Sequence, residues 1–190
     1  MSRKIALTIF FLVSAGALSA QVRSGDFQLG KITRNLIATP EFNYLGAEPF
    51  HTNPRERWLE VEVEFSTAPE FTEELTVKYY ILLAGTLLTG EVTHGNILAG
   101  REHRSVAYLS PRALTRFIGN RPVAINAIEN IAVQILQQGA VKDELSLNRA
   151  RPQWFASLPQ VSGFVLNKNE TPFAPLYWDR YEQIKSAGVR

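Results

Sequence analysis

The sequence predicts an all-β protein, an immunoglobulin-like antiparallel β-sandwich with a short crossover helix and a docked C-terminal tail. Residues 57–65 alternate apolar side chains with glutamates, which is the period-two pattern of a strand with one buried face. Short apolar segments then recur, separated by loop signals about every 8 to 15 residues. This spacing favours a sandwich of short strands over alternating β and α units.

The strand candidates follow one another along the chain. A loop is predicted at residues 68–70, where Pro69 interrupts the pattern. Residues 75–84 are apolar on both faces, which is typical of a central strand covered from two sides. The remaining strand candidates are residues 86–89, 101–109, 130–138 and 141–147, with a turn predicted at 94–96.

Two segments carry helical signals. Ser110 is a favourable N-cap and Pro111 suits the first helical position, so a short crossover helix is predicted over residues 111–117. Near the C-terminus, Tyr177, Tyr181 and Ile184 recur at helical spacing, which predicts a second helical segment.

The first twenty residues have the pattern of an export signal. A basic start at Arg3 and Lys4 precedes an apolar run over residues 5–13, and small residues follow with cleavage sites after Ala17 or Ala20. The run is too short to be a permanent membrane span. We therefore expect residues 1–20 to be removed and residues 21–190 to form one domain, with 152–190 as a packed C-terminal extension. The mature chain is expected in the periplasm, at the outer membrane or on the cell surface.

Composition excludes several classes of function. The chain carries 20 basic and 18 acidic residues, and removal of Arg3 and Lys4 would leave 18 of each. A neutral domain has no long-range field to attract nucleic acid. The absence of cysteine excludes thiol catalysis, iron–sulfur clusters and cysteine-based zinc sites. After residues 5–13, the sequence contains no second long apolar segment, so it predicts no transmembrane helix.

The sequence contains no recognisable catalytic motif, so a non-enzymatic protein without a cofactor is predicted. His94 and His103 are nine residues apart and could form a metal site with Glu91 or Glu102. Ordinary histidines beside a turn are the favoured interpretation, so no metal site is predicted.

Opposite charges are segregated along the chain. Residues 55–74 contain seven acids and two arginines, whereas residues 101–121 contain five arginines and one glutamate. The favoured interpretation is that the two segments are neighbours and neutralise each other. Alternatively, they lie on different faces and join copies or partners, or the arginines bind an acidic glycan. The candidate interaction residues are Glu60, Glu62, Glu64, Arg104, Arg112 and Arg116.

The three glutamates could also suggest a glycosidase carboxylate pair, because neighbours on one strand face are about 7 Å apart. Such a pair needs a buried carboxyl group, whereas these three glutamates alternate with the apolar side chains that face the core and are therefore expected on the solvent face. Solvated glutamates paired with basic residues of the next strand are therefore favoured.

Aromatic residues gather near the C-terminus. The favoured interpretation is that they pack the tail against the sandwich. If exposed, they would form a sugar-stacking platform, for which the candidates are Trp154, Tyr177, Trp178 and Tyr181.

Residues 171–182, which read TPFAPLYWDRYE, follow a β-rich exported domain. This segment resembles the tail of pilus-like proteins of Verrucomicrobia, small exported proteins encoded with type IV pilus components. The strand near Trp58 and the two-faced strand after Leu75 fit the same family. The resemblance implies an immunoglobulin-like sandwich, no catalytic residues, and protein partners in a pilus-like or envelope assembly, with self-association and glycan binding left open.

True pilins differ from this chain at the N-terminus. They have a short leader that ends in glycine, and an apolar helix with an early glutamate follows it. Here the apolar run is itself the leader, and no apolar helix follows. An accessory, minor or peripheral component of the appendage is therefore expected.

Overall fold

A computed structural model describes residues 25–185, apart from 44, 47–50, 52, 54–55, 120 and 149–150. The proposed signal peptide at residues 1–20 lies outside the described residues. The elements are β1 Phe27–Ala38, β2 Arg57–Leu83, β3 Thr86–Leu109, α1 Pro111–Ile118, β4 Ile128–Gln137, β5 Ala140–Ser146, β6 Gln160–Ser162 and β7 Val165–Asn167, with 3₁₀ turns at Ile125–Ala127, Trp154–Ser157 and Lys168–Glu170. The all-β prediction is confirmed.

A long hairpin of β2 and β3 organises the fold. Its turn is Ala84-Gly85, where φ is 47° and 78°, so both residues are left-handed as a tight hairpin turn requires. The predicted loops at 68–70 and 94–96 are wrong, because both segments lie inside these continuous strands. The pairing register shifts between Thr67 and Phe71, which leaves residues 68–70 as a bulge that accommodates Pro69.

The two halves of the hairpin belong to different parts of a sandwich-like sheet. β1 pairs with the first half of β2, and β4 pairs with the second half. The strand order is β5-β4-β2-β3-β6, and β7 pairs with the last residues of β3. The pairs are antiparallel except β3 with β6, which is parallel, so the sheet is mixed rather than purely antiparallel.

The main core lies between these halves. It joins Leu59, Val61 and Val63 of the first half of β2 to Val77 and Tyr79 of the second half. This inward set follows the period-two pattern of the sequence. The reverse face of the second half is also covered, because Tyr80 stacks on Phe155 with ring centroids 3.8 Å apart. The strand that is apolar on both sides is thus buried on both sides.

The crossover helix forms where predicted. The Ser110 hydroxyl accepts a hydrogen bond from the Ala113 amide at 3.2 Å and caps α1, while Ala113 and Leu114 face the core. Across the described part of the chain, no helix combines the length and apolarity needed to span a membrane.

The C-terminal tail, residues 171–185, contains no helix, so the predicted helical segment is wrong. Its end is extended instead and pairs with β3. The Gly95 amide donates to the Gln183 carbonyl at 3.0 Å, and the Lys185 amide donates to the Thr93 carbonyl at 2.8 Å. Pro172 and Pro175 disfavour a helix, and β3 satisfies the main-chain groups that a helix would have satisfied internally.

Candidate functional site

Glu60, Glu62 and Glu64, three of the glutamates of β2, meet partners from the same chain. Glu60 accepts hydrogen bonds from the Tyr108 hydroxyl at 3.2 Å and the Asn35 amide at 3.1 Å. Glu64 lies 3.5 Å from Arg104, the residue directly opposite it on β3. Antiparallel pairing places these side chains on one face, so the two charged segments are neighbours at this point.

Glu62 lies beneath the tail and is only 6% exposed. Arg180 Nη2 approaches one carboxylate oxygen at 2.8 Å, and the Tyr181 hydroxyl donates to the same oxygen at 2.9 Å. The hydrogen bond to Glu62 raises the pKa of Arg180, and burial raises the pKa of Tyr181. Arg104 adds a longer contact at 3.7 Å. Glu62 therefore anchors the tail and presents little surface to another molecule.

The remaining candidate arginines lie elsewhere. Arg112 and Arg116 are exposed on α1. The Arg116 guanidinium lies 5.0 Å from the centre of the Phe164 ring, within the range of a cation–π contact. The structure thus brings Glu60, Glu62, Glu64 and Arg104 together and places Arg112 and Arg116 on a separate helix.

His94 belongs to a buried chain of hydrogen bonds. The Tyr79 hydroxyl donates to Ser105 Oγ at 2.7 Å, and Ser105 Oγ lies 2.7 Å from His94 Nε2. His94 Nδ1 lies 3.1 Å from the Glu182 carbonyl, which can only accept. Burial lowers the pKa of His94 to about 4, so the ring is neutral with its proton on Nδ1, and Ser105 donates to Nε2.

His103 is held by the same tail residue. Its Nδ1 lies 2.7 Å from the Glu182 carboxylate, and its Nε2 lies 3.2 Å from Thr67 Oγ1. The Thr67 hydroxyl gives its own proton to the Leu98 carbonyl at 2.8 Å. The Glu182 carboxylate and the Thr67 hydroxyl oxygen thus hold the two ring nitrogens of His103 between the tail and β2.

These polar groups do not form an open reaction centre. Tyr79, Ser105 and His94 are each 0% exposed, so no substrate reaches them. In the part of the chain that the structure describes, no group of three His, Cys, Asp or Glu residues could hold a metal ion. Glu182, Ser105 and Tyr79 were absent from the sequence prediction, because no local motif signals these long-range contacts. The hydrogen bonds of these polar groups hold the C-terminal tail against the hairpin.

The four candidate aromatics do not assemble into one platform. Trp154 donates from Nε1 to Ser146 Oγ at 3.0 Å and packs with Phe155, while Tyr181 is bound to Glu62. Tyr177 and Trp178 instead project from the tail and are 56% and 81% exposed.

A family model matches residues 18–188, which is nearly the whole chain. The family is one of pilus-like proteins of Akkermansia, a genus of Verrucomicrobia. The chain belongs to this pilus-like family. Among curated proteins, none matches the chain.

The fold is shared with a solved relative. A crystal structure of a protein from Akkermansia muciniphila superposes with a TM-score of 0.68 and 21% sequence identity, covering 84% of this chain and 92% of that one. At that identity the likeness concerns the fold.

Proposed function

We propose that this chain is an exported, non-enzymatic interaction protein of a pilus-like appendage, acting as an accessory or peripheral component. The match to the pilus-like family over residues 18–188 is the observation that carries the proposal. The signal-like residues 1–20 support export to the periplasm, the outer membrane or the cell surface. The partners are protein components of the appendage or envelope.

The charged surface of α1 is the proposed contact with the partner. Arg112 and Arg116 are exposed, and the ion pairs of Glu62 and Glu64 among the described residues are made with Arg104 and Arg180 instead. The Glu64 side chain is 41% exposed, whereas Glu62 is only 6% exposed. An acidic surface on the partner would meet the two arginines, and a basic one would meet Glu64. Exposed charge pairs speed and orient association more than they strengthen it.

A pull-down from detergent-solubilised cell envelopes tests the proposal. The tagged mature chain is expected to retain appendage proteins at about 50 mM salt and to lose them near 500 mM, because salt screens exposed charges. The R112E/R116E variant is expected to lose them at both concentrations, whereas K142E, a reversal on exposed β5, retains them. Recovery of no appendage protein by the unaltered chain contradicts the proposal.

Glycan binding is the second candidate function. The exposure of Tyr177 and Trp178 favours it, because open aromatic faces can stack on sugar rings. A glycan array probed with the mature chain and with Trp178→Ala provides the test. Binding that disappears in the variant supports glycan recognition, and an array without signal removes it.

A further inference from the structure

The middle of β2 has an open main-chain edge. β1 pairs with β2 only as far as Thr67, and β4 pairs with it only from Thr76 onward. Residues 71–75 pair with β3 on one side. On the other side, no strand within the described residues pairs with them. An unpaired edge of this kind is a template for an added strand.

The side chains along this edge have an unusual combination of properties. Phe71 is 52% exposed and stands opposite Leu98, which is 63% exposed, so an apolar cross-strand pair faces solvent. The neighbouring Thr72 is 3% exposed, and its hydroxyl has no hydrogen-bond partner among the described residues. Because this hydroxyl oxygen is itself buried, the exposed contact along the edge comes from Phe71.

The edge is also acidic. Among the described residues, the exposed Glu70 and Glu73 take part in no ion pair, while Glu74 is paired with Lys185 of the tail. Acids and a proline next to a strand edge commonly prevent pairing between identical edges. The same charges attract an edge that carries lysine or arginine. The acidic edge therefore repels the same edge of a second copy and attracts a basic strand, and both effects favour a basic partner.

We propose that residues 71–75 accept an extended, basic segment of a partner protein as an additional β-strand. The inference rests on the proposed function and specifies a second contact within it. The added strand lies next to Phe71, whose exposed ring an apolar side chain of the partner covers. The basic side chains of the partner are attracted to the exposed Glu70 and Glu73. Main-chain hydrogen bonds to β2 supply affinity that is independent of side-chain identity.

Binding of a labelled peptide tests this site without any envelope component, so its outcome is separate from that of the pull-down. The probe is an eight-residue peptide of alternating lysine and valine, measured by fluorescence anisotropy on the full mature chain. The control probe has the same length and charge but carries proline at every valine position, so that it cannot form a strand. Amide chemical-shift changes locate the bound peptide.

The expected result is saturable binding of the alternating peptide, with shift changes centred on residues 71–75 and no binding of the proline control. The E70K/E73K variant is expected to weaken binding at least tenfold, whereas D179K, a single charge reversal in an exposed tail turn, leaves it unchanged. Phe71→Ser keeps all charges and is expected to weaken peptide binding as well. It tests the same site if the E70K/E73K variant misfolds.

Several outcomes overturn the proposal. No binding up to about 1 mM peptide, shift changes centred on another surface, or an equal loss in D179K each contradict it. A dimer in sedimentation that E70K/E73K abolishes, together with no peptide binding, assigns the edge to a second copy and rejects the partner strand.

Discussion

Glu182 Oε1 and His103 Nδ1 lie 2.7 Å apart and join the C-terminal tail to β3 by a hydrogen bond. The main-chain carbonyl of the same glutamate accepts a hydrogen bond from His94 at 3.1 Å. One residue of the tail thus engages two histidines on one strand. The tail is therefore bonded to the hairpin at side-chain and main-chain level and is part of the folded domain.

Replacing Glu182 with glutamine is expected to lower the free energy of unfolding by about 1–2 kcal/mol, because the hydrogen bond loses its charged acceptor. The matched control is Gln183→Ala, which removes only an exposed side-chain contact and is expected to cost less than about 0.5 kcal/mol. Urea denaturation measures both. Equal stabilities of Glu182→Gln and the unaltered chain would show that the charge of the Glu182 carboxylate does not help to hold the tail.

The tautomer of His94 is a second prediction. Nitrogen NMR of the imidazole rings at pH 7 is expected to show His94 with one proton, on Nδ1, because the Glu182 carbonyl 3.1 Å from that nitrogen can only accept. A His94 protonated on Nε2 would contradict this hydrogen-bond scheme.

Stability should also depend on pH through His94. Its pKa is lowered from 6.5 to about 4 in the folded state, so the unfolded chain binds more protons in between. Stability from this group is complete above about pH 6.5 and is lost as the pH falls toward 4, by about 3 kcal/mol in total.

The measurement is the free energy of unfolding at a series of pH values, compared with His94→Gln. The variant is expected to be less stable at pH 7 but to show a shallower decline between pH 6.5 and 4.5. Parallel declines would mean that other groups, mainly carboxylates, account for the acid sensitivity.

Glu62 and Glu64 occupy the same strand face but should differ in importance. Glu62→Ala leaves Arg180 and Tyr181 without their shared acceptor beneath the tail, and a loss of about 2–3 kcal/mol is expected. Glu64→Ala removes a solvent-exposed pair with Arg104 and is expected to cost less than about 1 kcal/mol. Thermal or urea denaturation that ranks Glu64 above Glu62 would reject this assignment.

Gly90 permits the close packing of β7 on β3. A Cβ atom at this position would lie 2.6 Å from Val165 Cβ and 2.9 Å from the Val165 carbonyl oxygen. Gly90→Ala is therefore expected to destabilise the domain by about 1–3 kcal/mol. At Gly95 the nearest atom would be 3.5 Å away, so Gly95→Ala is the milder control. Equal effects at both positions would show that β7 adjusts freely.

The sequence predicts the strand at 57–65 and the crossover helix, because the signals for both come from neighbouring residues. The alternation at 57–65 and the cap at Ser110 depend on neighbouring residues alone. The spacing of Tyr177, Tyr181 and Ile184 predicts a helix in the tail. That prediction is wrong because the main chain of the tail pairs with β3. The bulge at Pro69 similarly resembled a loop.

The candidate site was harder to predict, because its contacts join distant segments. Glu182 and His103 are 79 positions apart, and Arg180 and Glu62 are 118 apart. No periodicity links such pairs. The sequence did predict that the acidic and basic segments are neighbours, and Arg104 beside Glu64 agrees with that interpretation.

Photo-crosslinking in intact cell envelopes tests the central claim most directly. A photoreactive residue at position 112, on exposed α1, is compared with one at position 142, on exposed β5. The account predicts that position 112 forms crosslinks to a component of the pilus-like appendage, identified by mass spectrometry, and that position 142 does not. Identical products from both positions, or none that belong to an appendage, would contradict it.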